Sequence, residues 1–141
     1  MRLKVCLDSS VFIYAFEFPE SNSKKVIDLL NICALEAVIS ERVYKEVTSY
    51  FKKFYGKDAA SKFRNYLIET CELLFEDEIQ KEMQELKGKI KQKDLPQIAS
   101  ARHLGIKYLI AFDEDFNAFE EYVTPKRFIE ILNLKPRQTE Y

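Results

Sequence analysis

Two periods of apolar residues alternate along this chain. Leu3 to Leu7 is a short apolar run stopped by Asp8, which predicts a buried strand. Ser9 to Glu17 predicts a helix ended before Pro19, and Val26, Ile27, Leu29, Leu30 and Cys33 follow helical spacing. Ala37 to Ile39 predicts a second strand, with Ser40 suited to cap the next helix. In that helix Val43, Val47, Tyr50 and Phe54 recur at three- and four-residue steps, and Gly56 ends it. Ala59, Ala60, Phe63, Tyr66 and Leu67 predict another helix, Leu73 to Phe75 a third strand, and Ile79, Met83, Leu86 and Ile90 a further helical stripe. Asp94 opens a helix that tolerates Pro96 in its first turn and stops at Gly105. Lys107 to Phe112 reads as the strongest strand, Glu121 to Val123 as a short last one. Thr124-Pro125 starts a final helix with Phe128, Ile129 and Leu132 on one face, and the tail from Lys135 reads as solvated. Strands that alternate with helices imply an α/β fold, a three-layer α/β/α sandwich around a parallel sheet. With no repeat, linker or low-complexity segment, residues 1–141 read as one domain.

Composition narrows this further. A chain of 141 residues with 47% apolar and 13% aromatic residues can bury a core, and only 3 Gly and 4 Pro argue against a turn-rich all-β fold. Cys6, Cys33 and Cys71 are odd in number and far apart, and His103 is the single histidine. That excludes the usual zinc and disulfide frameworks and suits a reducing, cytoplasmic setting. Charge comes too early at the N-terminus for a signal peptide, and the run from Val11 to Phe16 is too short to span a membrane. A net charge of −1 advertises no global affinity for nucleic acid. Setting aside Asp8, Glu46, Asp94, Asp113 and Asp115 removes five negative charges and leaves +4 on the rest, a mildly basic surround if those five converge.

Convergence is what the pattern suggests. Asp8 and Asp113 each follow a predicted parallel strand directly, and ligands of such sheets bind beyond the carboxyl ends of the strands. Glu46 falls on the flank of the apolar stripe of its helix, at the edge of the core. Each acid also has a plain structural reading. Asp8 and Asp94 suit helix caps, Asp113 and Asp115 suit turns, and Glu46 suits an ordinary surface.

The sequence around these acids resembles the PIN-domain family. Leu3-Lys-Val-Cys-Leu-Asp8-Ser-Ser-Val-Phe-Ile-Tyr-Ala is similar to its first motif, a hydrophobic strand ending in Asp followed by Ser or Thr. Ser40-Glu-Arg-Val-Tyr-Lys-Glu46 is similar to the second. The block from Lys93-Asp94 through Gly105 and its strand to Asp113-Glu-Asp115-Phe resembles the third and fourth together, and Thr124-Pro125 with its short helix resembles the usual end of these domains. The resemblance implies an α/β/α sandwich whose clustered acids bind Mg²⁺ or Mn²⁺ and cut single-stranded RNA. It implies Asp8, Glu46, Asp94 and Asp113 as catalytic metal ligands, Asp115 as an outer catalytic member, and Ser9 or Ser10 as supports of the ligands. One departure stands out. The family often has Thr or Ser two residues before the fourth acid, where this chain has Ala111.

The chemistry fits the residue types. Mg²⁺ prefers oxygen ligands and keeps several waters, and a bound ion acidifies its water and shields charge on phosphorus. No Ser–His pair is needed, which agrees with one histidine. Lys45 is placed to ease the repulsion at Glu46 or reach a phosphate. Lys87, Lys89, Lys91 and Lys93, close before Asp94, suit either a solvated helix end or a guide for the RNA backbone. A short PIN-like domain suggests a toxin of the VapC kind, held silent by a small antitoxin protein. A homodimer is expected, with some of Tyr44, Tyr50, Phe51, Phe54 and Tyr55 at its interface. Two other readings compete: a non-catalytic PIN-like module that binds RNA or protein, and a phosphatase of the haloacid dehalogenase type. The latter needs an acid two residues after the first Asp, where Ser10 stands.

Overall fold

Period-2 segments lie on period-3.6 helices in the structure, a computed structural model that describes residues 2–141. In chain order the elements are β1 (Leu3–Leu7), α1 (Ser9–Glu17), α2 (Asn22–Asn31), β2 (Leu35–Ser40), α3 (Glu41–Tyr55), α4 (Lys57–Thr70) and β3 (Cys71–Leu74). They continue with α5 (Gln80–Leu86), α6 (Leu95–His103), β4 (Leu109–Ile110), β5 (Tyr122–Val123) and α7 (Pro125–Ile131). All strand pairs are parallel, in the order β3-β2-β1-β4-β5. The chain therefore builds outward from β1 to β3, then returns to lay β4 on the other side of β1. The strand order reverses between β1 and β4.

Alternation along the strands divides the core into two layers. Val5, Leu7, Ala37, Ile39 and Ile110 pack with Val11, Val26, Val43, Phe51, Leu67 and Phe128 from α1, α2, α3, α4 and α7. Cys6, Val38, Leu109 and Ala111 face the other way, onto Leu86, Leu95, Ile98 and Ala101 of α5 and α6. The sheet is thus buried on both faces, as a parallel sheet must be. Ser40 and Thr124 cap α3 and α7 by accepting from Val43 N–H and Arg127 N–H. Gly56 joins α3 to α4 at φ 93°, a conformation that costs a residue without Cβ little.

Several boundaries differ from the sequence reading. The strand expected over Lys107–Phe112 is reduced to Leu109–Ile110, the two residues that pair with β1 on one side and β5 on the other. Cys33 lies past the end of α2 at φ 62°. Ile90 lies past α5, which ends at Leu86 before Gly88 turns the chain at φ 84°. Phe51, expected among interface residues, is fully buried and stacks on Phe63 at 3.6 Å between ring centroids. The tail from Lys135 is largely exposed, as expected, yet it is pinned to the domain. The carbonyls of Lys135 and Arg137 accept from Lys25 and Asn22, and the Tyr141 ring stacks on Phe18. The three cysteines are free thiols, with Cys6 pushed up to about 12 by burial. Among the described residues, no helix is long and apolar enough to cross a membrane.

Candidate active site

Asp8 follows β1 directly, and Asp113 stands three residues past the end of β4. Because those two strands are neighbours at the point where the order reverses, both acids open onto the crevice where such sheets bind ligands. Asp8 occupies the N-cap of α1 and Asp94 the N-cap of α6, yet neither side chain makes a capping hydrogen bond. The plain reading of both as caps therefore fails.

The partners they do have are specific. Asp8 Oδ1 accepts from Gln97 Nε2 at 3.1 Å, and Asp8 Oδ2 accepts from the Ser10 hydroxyl at 2.8 Å. The Ser9 hydroxyl donates to Glu46 Oε1 at 3.4 Å, so the two serines steady different acids. Asp113 Oδ1 accepts the backbone N–H of Asp115 at 2.9 Å, in a turn that aims both carboxylates the same way. Asp94 is buried, 5% exposed, and its Oδ2 has no partner.

One oxygen each from Asp94, Asp113 and Asp115 lies within 4.8 Å of the others. Asp8 and Glu46 stand outside this tight triad but are coupled to it. Burial, then Asp113, raises the Asp94 carboxyl to about 6, against an opposing effect of Lys93, and Asp8 and Asp115 raise it further. Burial, then Asp8, raises Glu46. Arg42 and the Ser9 hydrogen bond oppose that rise, and Asp94 adds to it. Asp115 is held low by Lys91, whose Nζ meets Asp115 Oδ2 at 2.8 Å. Asp94, Asp113 and Asp115 thus form the close group, which makes Asp115 more central than the sequence suggested, and Asp8 and Glu46 lie near enough to raise its members or one another.

Two contributors escaped the sequence reading, and a third was named there without its partner. Gln97 is buried, grips Asp8, and leaves its own Oε1 without a partner. Its signal is a lone amide in the otherwise apolar and small stretch from Leu95 to Ala101, three residues after Asp94. Arg42 rather than Lys45 is the cation that eases Glu46, since Lys45 pairs with Glu41 at 3.1 Å. Lys91, one of the four lysines before Asp94, meets Asp115 from the non-helical stretch between the end of α5 and the 3₁₀ turn Gln92–Asp94. Ala111 is fully buried in the α5–α6 layer. His103 is exposed and pairs with Glu82 at 3.3 Å, as a structural residue does.

The donor set suits a hard divalent cation. It offers only oxygen, it gathers like charges that raise one another, and it contains a buried carboxylate oxygen without a partner. The profile of the PIN domain matches residues 5–122. The chain belongs to the PIN-domain family. Solved structures share its fold. A toxin–antitoxin complex from Klebsiella pneumoniae superposes with a TM-score of 0.68 at 20% identity, over 86% of this chain and 97% of the other. VapBC2 of Rickettsia felis, bound to a DNA fragment from its promoter, gives 0.67 at 17% identity, over 86% and 97%. VapC20 of Mycobacterium tuberculosis, described as a Sarcin-Ricin loop cleaving toxin, gives 0.61 at 17% identity, over 81% and 93%. No curated protein sequence gives a significant match.

Proposed function

We propose that this PIN-domain protein is a metal-dependent endoribonuclease that cuts single-stranded RNA. The observation that carries the reading is the buried, partnerless Asp94 oxygen within the Asp94–Asp113–Asp115 triad. Asp94, Asp113 and Asp115, with Asp8 and Glu46 beside them, would hold Mg²⁺ or Mn²⁺. When bound, the ion supplies an acidified water as nucleophile and shields charge on phosphorus. The chain's own part is positional. Ser10 and Gln97 hold Asp8, the Asp115 N–H holds Asp113, and burial keeps the Asp94 carboxylate short of water. Lys91 and Lys93 on one side and Arg42 on the other supply positive charge for the RNA backbone.

The experiment is cleavage of a labelled single-stranded RNA with Mg²⁺ or Mn²⁺, with EDTA, and by Asp94→Asn. Cleavage is expected only in the unmodified protein with metal. Undiminished cleavage in EDTA would sink the mechanism. The phosphatase reading loses ground on geometry, since Ser10 is committed to Asp8 where an acid is required.

A toxin role under a small antitoxin is the biological setting we propose, supported by the fold shared with toxin–antitoxin proteins. A fitting surface for such a partner is the apolar cavity of about 300 Å³ between α1, α2 and α4, walled by Phe12, Phe16, Ile27, Phe63 and Tyr66. A homodimer remains part of the proposal, with Phe54 and Tyr55 as its exposed aromatics, 59% and 46% accessible. A two-chain mass by light scattering at micromolar concentration supports it, and a monomeric mass rejects it.

A further inference from the structure

A second cavity opens beside the acidic crevice. It encloses about 470 Å³ between α1 and α3 and is walled by Ser9, Ser10, Ile13, Tyr14, Glu17 and Tyr50. Ser10, Ile13, Tyr14 and Glu17 stand at i, i+3, i+4 and i+7, so they form one face of α1. It adjoins the acidic site, because Ser10 and Ser9 line it and donate to Asp8 and Glu46. From Ser10 the helix runs roughly 10 Å to Glu17, at 1.5 Å per residue. That is about the reach of one nucleotide from a phosphate at the carboxylates.

The polar group at its far end is unusual. Glu17 has no cationic partner among the described residues. Its Oε1 instead accepts the hydroxyls of Tyr50 and Tyr55, each at 2.7 Å, and Oε2 receives neither. Those hydrogen bonds, Tyr55 first and then Tyr50, hold the Glu17 carboxyl below its ordinary range, so it stays ionised and can only accept. The aromatic wall is braced from behind. Tyr14 meets Phe112 edge-on at 4.9 Å and Tyr141 at 4.4 Å, and Tyr141 stacks on Phe18 at 4.7 Å. A cleft with tyrosine rings and a fixed acceptor, adjoining a phosphate-cutting site, has the features of a base pocket.

We propose that this cleft holds one nucleobase of the substrate strand, next to the phosphate that is cut, between Tyr14 and Tyr50 with Glu17 reading its edge. The proposal rests on the ribonuclease reading. A free carboxylate oxygen accepts from the exocyclic amino group of cytosine, adenine or guanine. In uracil the one ring N–H lies between two carbonyl oxygens, which the carboxylate repels. The cleft therefore takes amino-bearing bases and rejects uracil.

Cytidine and uridine test this directly, since they are nearly equal in size and differ in that edge. The metal-free protein is titrated with each nucleoside while amide NMR shifts are followed from Ser9 to Phe18 and at Tyr50. Cytidine is expected to shift these amides and to bind about tenfold more tightly than uridine. Glu17→Gln, whose amide both accepts from the tyrosines and donates to a carbonyl, should still fold, with a melting temperature lowered only by the lost charge on those two hydrogen bonds, and bind both nucleosides alike. In cleavage of a random-sequence RNA, the unmodified protein should avoid uracil at one position beside the cut and Glu17→Gln should not. Absence of shifts, equal shifts for the two nucleosides, or the same base preference in Glu17→Gln overturns the cleft. Nucleoside discrimination without metal-dependent cleavage would instead leave the cleft standing and reject the nuclease reading.

Discussion

Asp8 and Asp94 sit where a helix wants a cap and do not cap it, which forgoes about 1 kcal/mol at each site. The same acids lie among others that raise Glu46 and Asp94. This site is therefore a local cost to the metal-free fold, and Asp8→Asn tests it. Asparagine keeps the size, Ser10 can turn its hydroxyl to accept, and the partnerless Gln97 Oε1 can take the new amide proton after a flip. The local bonds survive while one like charge is lost. Asp8→Asn is expected to melt about 3 °C higher than the parent in EDTA, to gain less from Mn²⁺, and to lose cleavage. Equal Mn²⁺ shifts in the two proteins, with no gain in EDTA, would reduce Asp8 to a structural residue. The raised Asp94 gives a second, pH-dependent test. A carboxyl near 6 when folded and 3.8 when unfolded binds its proton more tightly in the native state. Its contribution to stability is complete below about pH 4 and is lost as pH rises through about 6. Glu17, Glu41, Glu82 and Asp115, all held low, act in the opposite sense, so the readout is a difference between two proteins. In EDTA, the melting temperature of Asp94→Asn relative to the parent should rise from pH 4 to pH 7. A constant difference would contradict the buried-charge account. Asp8, Asp94 and Asp113 were legible because each stands at an element boundary, where chain position predicts direction, whereas Glu46, inside α3, was legible only from its place on the flank of the stripe and the family motif. Gln97 was not, because a single amide on a buried helix looks like any polar residue until its partner across the sheet is known.

Helix α3 shows how an element can be right while its face is wrong. Val43, Val47, Tyr50 and Phe54 obey the helical period, but so do Val43, Val47 and Phe51, and the structure buries the second set. One residue turns the stripe by about 100°. The choice is made by α4, whose Phe63 stacks on Phe51 at 5° between ring planes, while Phe54 is left 59% exposed. No local pattern carries that information, since the partner arrives only after the Gly56 turn. Truncation separates the two rings. Phe51→Ala should cost about 3–5 kcal/mol in urea unfolding, because it opens the α1–α3–α4 layer. Phe54→Ala should stay within about 0.5 kcal/mol. Comparable losses would mean that the α3 face is assigned wrongly. The same limit explains β4. Its apolar run predicts six residues of strand, and two pair on both sides, because pairing length is set by where β1 and β5 both lie alongside and not by the run itself.

At the scale of the whole molecule, parallel alternation made the sandwich legible from sequence, and the acids at the ends of β1 and β4 made the crevice legible with it. The sharing-out of charge was legible only as a sum, +4 once the five acids are set aside, and not as a place. A net charge of −1 looks indifferent to RNA. Folding brings Asp94, Asp113 and Asp115 together with Asp8 and Glu46 close enough to feel them, and leaves a surplus of positive charge elsewhere, part of it on the segment that carries Lys91 and Lys93. Lys91 is drawn to Asp115 at 2.8 Å in the metal-free site. A cation bound by the triad would compete for that carboxylate and release Lys91 toward a phosphate. Binding should then depend on salt through counterion release, with a log–log slope of about −0.7 for each phosphate neutralised on a single strand. We expect Asp8→Asn protein in Mg²⁺, which leaves the RNA intact, to bind a short single strand with a steep salt dependence. Adding Lys91→Ala or Lys93→Ala should weaken binding for every RNA sequence tested and flatten the slope by about 0.7 each. Lys107→Ala is the control, since Lys107 precedes β4 at the opposite edge of the sheet and lies over the Tyr108 ring. Fluorescence anisotropy at several salt concentrations reads all four proteins. If the Lys107 variant flattens the slope as much as the Lys91 variant, the loop is an ordinary solvated turn and the RNA backbone runs elsewhere.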